Sequence, residues 1–342
     1  MPSVLVAIFY AIFAGIMNGS FALPTKYSQP WRFENIWFGY ALFGFLILPW
    51  VTLFLLDPRV ITIYHLMPTY TLFIILLGGV SFGIGQACFA RALEIIGFGL
   101  GFVINIGLGT GLGFLLPLVI LHPEQILSPI GLATLIGTVF IIIGLLLSFK
   151  AGQQRDTALQ LLSKTSSKAQ YHAGVLLSII AGLSSAGQNF TFALTGNMQQ
   201  IALASGIHSL ASAIIIWPVF LLCSFIAYGG YMLYSQAKNN SFKLYIQPGS
   251  GRNWIFACIM GLLWYVPLVF YSKSSLLIGK LGPIVVWPLF MVLIILASNF
   301  WGWRHKEWEH CQPSIKRKAL IAIMALIVAV MVLAYSATLS LG

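Results

Sequence analysis

Residues Gly79–Gly97 read GVSFGIGQACFARALEIIG, and the fold turns on this stretch. It is an apolar helix with one cation, Arg91, just before its last turn, followed by a glycine and a second apolar run. A counterpart stands 182 residues later, at Gly261–Gly279, GLLWYVPLVFYSKSSLLIG. Laid together, Gly79 meets Gly261, Phe82 meets Trp264, Phe89 meets Tyr271, Arg91 meets Lys273 and Gly97 meets Gly279. A second pairing accompanies it: AGIMNGSFALPT (Ala14–Thr25) is similar to AGLSSAGQNFTFALT (Ala181–Thr195) with a few residues inserted. A hydrophobic unit used twice, with polar groups in corresponding helices, is the pattern of a secondary transporter.

Composition agrees. Of 342 residues, 59% are hydrophobic and 7% charged, with mean hydropathy +0.94. A chain so poor in charge is a polytopic membrane protein. The net charge of +11 does not mark a nucleic-acid binder, because the cations sit in short loops between apolar runs and form no basic stripe. Cys88, Cys223, Cys258 and Cys311 are isolated, and three fall inside apolar runs, so they read as small hydrophobes rather than a disulfide framework. No Lys or Arg precedes Ser3–Ala22, which therefore reads as an uncleaved first span.

A bilayer core takes about 20 apolar residues per helix. Ten such runs occur, near 3–22, 36–56, 69–91, 98–121, 129–149, 172–194, 205–234, 254–273, 280–301 and 318–340. The expected fold is all-α, with ten transmembrane helices in two inverted five-helix repeats, 1–149 and 172–342. The polar stretch 150–171 joins them as a linker. The seventh run is overlong and holds Trp217-Pro218, a candidate kink. Arg59, Lys273 and Lys280 follow even-numbered runs, and the other fifteen of the 18 cations follow odd-numbered ones. The positive-inside rule then puts the 150–171 linker in the cytoplasm and both termini outside.

Absences narrow the chemistry. All seven acids sit at run ends or in loops, so no carboxylate stands at mid-membrane, where an ion coupler usually does. Gly97–Gly113 holds seven glycines but no GxGxxG. No GxSxG, HExxH or metal-ligand spacing occurs, so no enzyme, cofactor or metal is called for. What remains is uncharged. Asn18, Gln86, Asn105, Ser184, Gln188, Asn189, Trp264, Tyr265 and Trp287 are the candidate substrate-binding residues. Polar side chains are costly in lipid, so they face a shared interior. Ser184/Gln188 and Ser185/Asn189 are i, i+4 pairs that make one polar face. The amides and serines either bond neighbouring helices or line a water-filled cavity. The aromatics suit stacking on a sugar, or sit at the membrane interface. Pro117, Pro267 and Pro288 free backbone carbonyls or simply kink their helices. His208, at the outer end of the seventh run, titrates near neutrality and is a candidate proton carrier, as is Glu94 if a cavity reaches it.

Several short motifs carry a family resemblance. ILPW (Ile47–Trp50), the glycine-rich GFGLGFVINIGLGTGLGFLLP, AGQ (Ala151–Gln153), GLSSAGQNFTFA, GLLWYVPLVFY and KEW (Lys306–Trp308) together, in order and spacing, resemble the L-rhamnose–proton symporter family of the drug/metabolite transporter superfamily. The resemblance covers nearly the whole chain. It implies ten helices, inverted repeats, a central site, alternating access and uptake of a small polar metabolite, a sugar such as L-rhamnose, with a proton. The expected partners are that solute, H+ and the lipid bilayer of a bacterial inner (plasma) membrane, with no nucleic acid. Export of amino acids or other metabolites is the alternative within the superfamily. A polytopic membrane enzyme is the alternative of another class.

Overall fold

The computed structural model describes residues 2–158 and 168–339. Among these, the chain is helical throughout and contains no strand. Ten helices are long and apolar enough to cross a bilayer: Val4–Tyr27, Phe33–Leu56, Thr69–Ile96, Leu100–Leu121, Pro129–Arg155, Ala169–Ala204, Ser209–Asn239, Ser250–Ile278, Gly282–Arg304 and Pro313–Leu339. They are called spans one to ten below. The helix of span five runs on to Ala158, and that of span six begins at Lys168. The expected 150–171 linker is therefore helical at both ends, while 159–167 lie outside the described residues. AGQQRDTA has no proline to stop the helix, and its polar side chains suit water beyond the membrane.

Spans three and four follow one another with no intervening loop, as one 53-residue run of helical turns, Thr69–Leu121. Drawn straight, it would be about 80 Å long, far beyond a bilayer core of roughly 30 Å. It folds back instead. The rings of Phe89 and Phe102 lie 5.2 Å apart, although thirteen residues of straight helix would separate them by about 20 Å. Span six lies along both arms, with Ser184 against Gly85 and Ser185 against Gly109.

Prolines shape two other spans. In span two, Leu42–Ile47 widens into a π turn just before Pro49. Pro49 has no N–H for the Phe45 carbonyl, and the wider turn absorbs the mismatch. Span seven breaks between Ser209–Ile214 and Trp217–Asn239. Pro218 removes the donor for the Ile214 carbonyl, as its kink reading requires. At the break, the Tyr64 hydroxyl donates to the Ile215 carbonyl at 2.6 Å.

Span one packs on spans eight and nine, and span six on spans three and four. Span two packs on seven and eight, seven on three, five on ten, and four on nine. Glycines set the tightest crossings. A Cβ on Gly79 would overlap the Phe220 carbonyl of span seven, and one on Gly261 would collide with Phe43 of span two. A Cβ on Gly15 would collide with Leu293 of span nine, and one on Gly182 with Leu108 of span four.

The chain alternates between two faces. One gathers the cation-rich loops. There Glu307 pairs with Lys26 at 3.2 Å and with Arg155 at 2.8 Å, tying the ends of spans one, five and nine. The other face holds both described chain ends, where Val4, Val285 and Ala337 cluster.

Candidate functional site

The interior is organised by aromatic rings. At mid-depth, the half-buried Trp264 of span eight is ringed by Tyr40 at 5.9 Å, Phe45 at 4.6 Å and Phe82 at 6.2 Å, centroid to centroid. Phe82 stacks on it, so the two residues paired in the sequence comparison meet face to face. From Phe82 the contacts run through Phe220 at 5.8 Å to Trp217, and from Trp217 to a stacked Phe192 at 5.3 Å. They continue through Tyr271 to Trp287. Trp217, Phe192, Tyr271 and Trp287 all lie in the half of the bundle toward the cation-poor face, and all are buried. They pack as a continuous chain of rings there. At the opposite, cation-rich face, a cavity of about 590 Å³ opens between spans two, three, six and seven, and its wall includes none of Asn18, Gln86, Asn105, Gln188 or Trp264.

Asn189 is a fastener inside this aromatic wall. It is 0% exposed. Its Nδ2 donates to the Gly113 carbonyl at 2.8 Å and the Pro283 carbonyl at 2.9 Å, and its Oδ1 accepts from the Tyr271 hydroxyl. One side chain thus joins spans four, six, eight and nine. The reason is local. Gly113 lies four residues before Pro117, which has no N–H to give it. The carbonyl freed by Pro117 is met by Asn189, not by a cavity, as buried polar groups in a membrane require. Trp287 is similar: its indole N–H donates to the Gly109 carbonyl at 2.9 Å, in a slot that a Cβ on Gly113 would close.

The other predicted residues divide differently. Asn18 reaches the Trp264 carbonyl at 3.4 Å, so these two belong to one site. Ser184 spends its hydroxyl on the Ala181 carbonyl of its own helix, and Tyr265 is wholly buried with its hydroxyl unpartnered. Gln86 is half-buried on span three. Gln188 is 4% exposed, yet its Nε2 has no hydrogen-bond partner in the protein. Asn105 Oδ1, Thr110 Oγ1 and Ser178 Oγ are likewise buried and unpartnered. The contacts of Gly85 with Ser184 and Gly78 with Thr191 set Gln188 level with Ser81–Phe82, and so with Trp264. Buried polar atoms are normally bonded. Of these, Gln188, level with Trp264, is placed to bond something polar from outside the chain.

The acids hold what the sequence concealed. Two run-end carboxylates are buried, one at each end of span two: Glu34, 6% exposed, and Asp57, 5% exposed. Asp57 accepts from Arg59 Nε at 2.9 Å and Nη2 at 2.8 Å, and from the His208 backbone N–H at 3.1 Å. The Arg59 guanidinium holds the Asp57 carboxyl well below the usual carboxylate range. His208 is exposed at the cation-poor face, and its backbone, not its ring, makes that contact. Glu94 is exposed and paired with Arg91. Glu34 lies in the cavity wall and accepts from Asn239 Nδ2 at 3.1 Å. A position-by-position reading of charge located Glu34 at a helix end but had no signal for its burial.

Comparison with known proteins adds an independent finding. The sequence profile of the L-rhamnose-proton symport proteins matches residues 1–342. Similar relatives include an L-rhamnose-proton symporter of Pectobacterium atrosepticum, 26% identical over 333 residues, covering 95% of this chain and 96% of that one. Another is the L-rhamnose-proton symporter of Yersinia pestis strain Pestoides F, 26% identical over 95% of each chain. These relatives are named as transporters, not enzymes.

Proposed function

This chain belongs to the L-rhamnose-proton symport protein family, and on that premise we propose that it is a secondary transporter taking up L-rhamnose with a proton. The match along residues 1–342 carries this reading. The interior suits it. A deoxyhexose has an apolar face for the Trp264 ring and hydroxyls for Gln188, Asn105, Asn18 and Gln86. Those side chains are the proposed sugar-binding set. Asn189, Trp287, Ser184 and Tyr265 support them from the surrounding wall.

The membrane is a bacterial inner membrane, with the cation-rich face and the 150–171 linker in the cytoplasm and both termini outside. The fifteen-to-three cation bias supports this. The aromatic wall then closes the outer half, and the cavity opens inward. Residues 1–149 and 172–342 are two inverted repeats. Their support is a packing pattern that maps onto itself when each span is exchanged with the one five places on. Spans one with eight and nine exchange with six with three and four. Gly15 and Gly182, and Gly79 and Gly261, hold corresponding crossings.

The test uses the purified protein in proteoliposomes with a pH electrode in the medium. Adding L-rhamnose outside should alkalinise the medium and load labelled sugar inside. Absence of L-rhamnose movement, with or without protons, would overturn the substrate. Sugar movement without alkalinisation would overturn the coupling alone.

A further inference from the structure

Symport requires a group that is protonated in one access state and deprotonated in the other. Among the described acids, only Glu34 is both buried and in the wall of a cavity without a bonded cation. Asp57 is bound by two nitrogens of Arg59. Neutralising it would strand that guanidinium, so it stays charged through the cycle. Glu94 shares its charge with Arg91 at the surface. His208 is exposed at the closed face. Glu34 instead rests on a neutral amide, Asn239 Nδ2 at 3.1 Å, and lines the 590 Å³ cavity at the cation-rich face. Its carboxylate can gain or lose a proton through that cavity while leaving no bonded cation unpaired.

The position is also mechanically apt. Glu34 stands in the first turn of span two, and Asn239 ends span seven. Gln236 of span seven also donates to the Glu34 backbone carbonyl, at 3.2 Å, and Arg32 to the Asn239 carbonyl, at 3.1 Å. The carboxylate therefore lies across the seam between the two halves of the chain, at the end where the cavity opens.

Other titratable groups face it from every packed element. Span three contributes Cys88, Arg91 and Glu94 to the same cavity wall, and span seven contributes Tyr231, Tyr234 and Lys238. From the short 3-10 helix Phe242–Ile246, the Tyr245 hydroxyl donates to the Asn35 carbonyl at 3.4 Å. Burial pushes its phenol up to about 12, so it stays neutral across working pH.

We propose that Glu34 is the carboxylate that carries the symported proton and releases it to the cation-rich side. The proton passes from the Glu34 carboxyl to cavity water. The resulting carboxylate accepts from Asn239 and draws the ends of spans two and seven together. This rests on the proton-coupled reading above.

Proteoliposomes carrying wild type, Glu34→Gln, Glu34→Asp and Asn239→Ala test it. Glu34→Gln should lose L-rhamnose-driven alkalinisation by about tenfold or more. It should retain sugar counterflow, which needs no net proton release, and its counterflow should no longer vary with internal pH. Glu34→Asp should recover proton movement. Coupled transport by wild type and undiminished proton movement by Glu34→Gln would overturn the proposal and leave the family function intact. Uncoupled sugar movement by wild type would instead overturn the coupling reading, and this proposal with it. If Glu34→Gln does not fold, Asn239→Ala decides. It removes the amide from which the carboxylate accepts, so the pH midpoint of counterflow should move. An unmoved midpoint overturns the assignment.

Discussion

Replacing Asn189 with leucine, close to it in size, tests the claim that this side chain fastens four spans. Three bonds are lost: those to the Gly113 and Pro283 carbonyls and that from the Tyr271 hydroxyl. The losses differ in kind. Pro283 is within the helical turn of span nine and retains a helical donor at Trp287. Gly113 has none, because Pro117 stands where its donor should be. The Tyr271 hydroxyl is left buried and unpaired. Side-chain bonds between membrane helices average about 0.6 kcal/mol and reach about 1.7. One average bond and two near the upper limit give about 2–4 kcal/mol. At roughly 2 °C per kcal/mol for a chain of this size, Tm should fall by about 4–8 °C. The assay is a thermal melt of detergent-purified protein with a thiol-reactive dye, which reads exposure of the buried, unpaired Cys223. Tyr271→Phe alone should cost less, and the double variant should melt near Asn189→Leu. A fall under about 2 °C, or strictly additive single and double variants, would refute the fastening argument.

Gln188→Ala should weaken L-rhamnose binding by about 3- to 10-fold, the worth of one neutral hydrogen bond. It should leave the melt nearly unchanged, because Nε2 has no partner in the protein to lose; unchanged affinity with a lowered Tm would make Gln188 a packing residue. For orientation, in a variant without the four native cysteines, an impermeant thiol reagent applied outside should label a cysteine added after Gly342 and miss one at Ser166, and the reverse pattern would invert the topology. Asp57→Asn should lower Tm by a similar amount at pH 5 and pH 8. The folded pKa is depressed, so its stabilisation is complete above the unfolded value of about 3.9 and is lost only as pH falls below it toward the folded value. A difference that appears only at pH 8 would contradict the Arg59 pairing.

Ten spans, their order and the cation asymmetry were legible in the one-dimensional pattern, because lipid demands about 20 apolar residues per crossing whatever the neighbours are. The kink at Trp217-Pro218 was legible for the same reason, since a missing N–H acts within four residues of itself. The pairing of Phe82 with Trp264 was visible as an echo, but only folding showed the two rings stacked. Tertiary structure alone divided the polar residues. Asn189 and Gln188 are adjacent on one helix and chemically alike, yet one meets a carbonyl freed by a proline 72 residues earlier and the other leaves its Nε2 without a partner. Glu34 and Glu94 both sit at span ends, yet one is buried against span seven and the other lies exposed beside Arg91. Which of two like groups is satisfied depends on atoms supplied by other spans, and no local pattern encodes that.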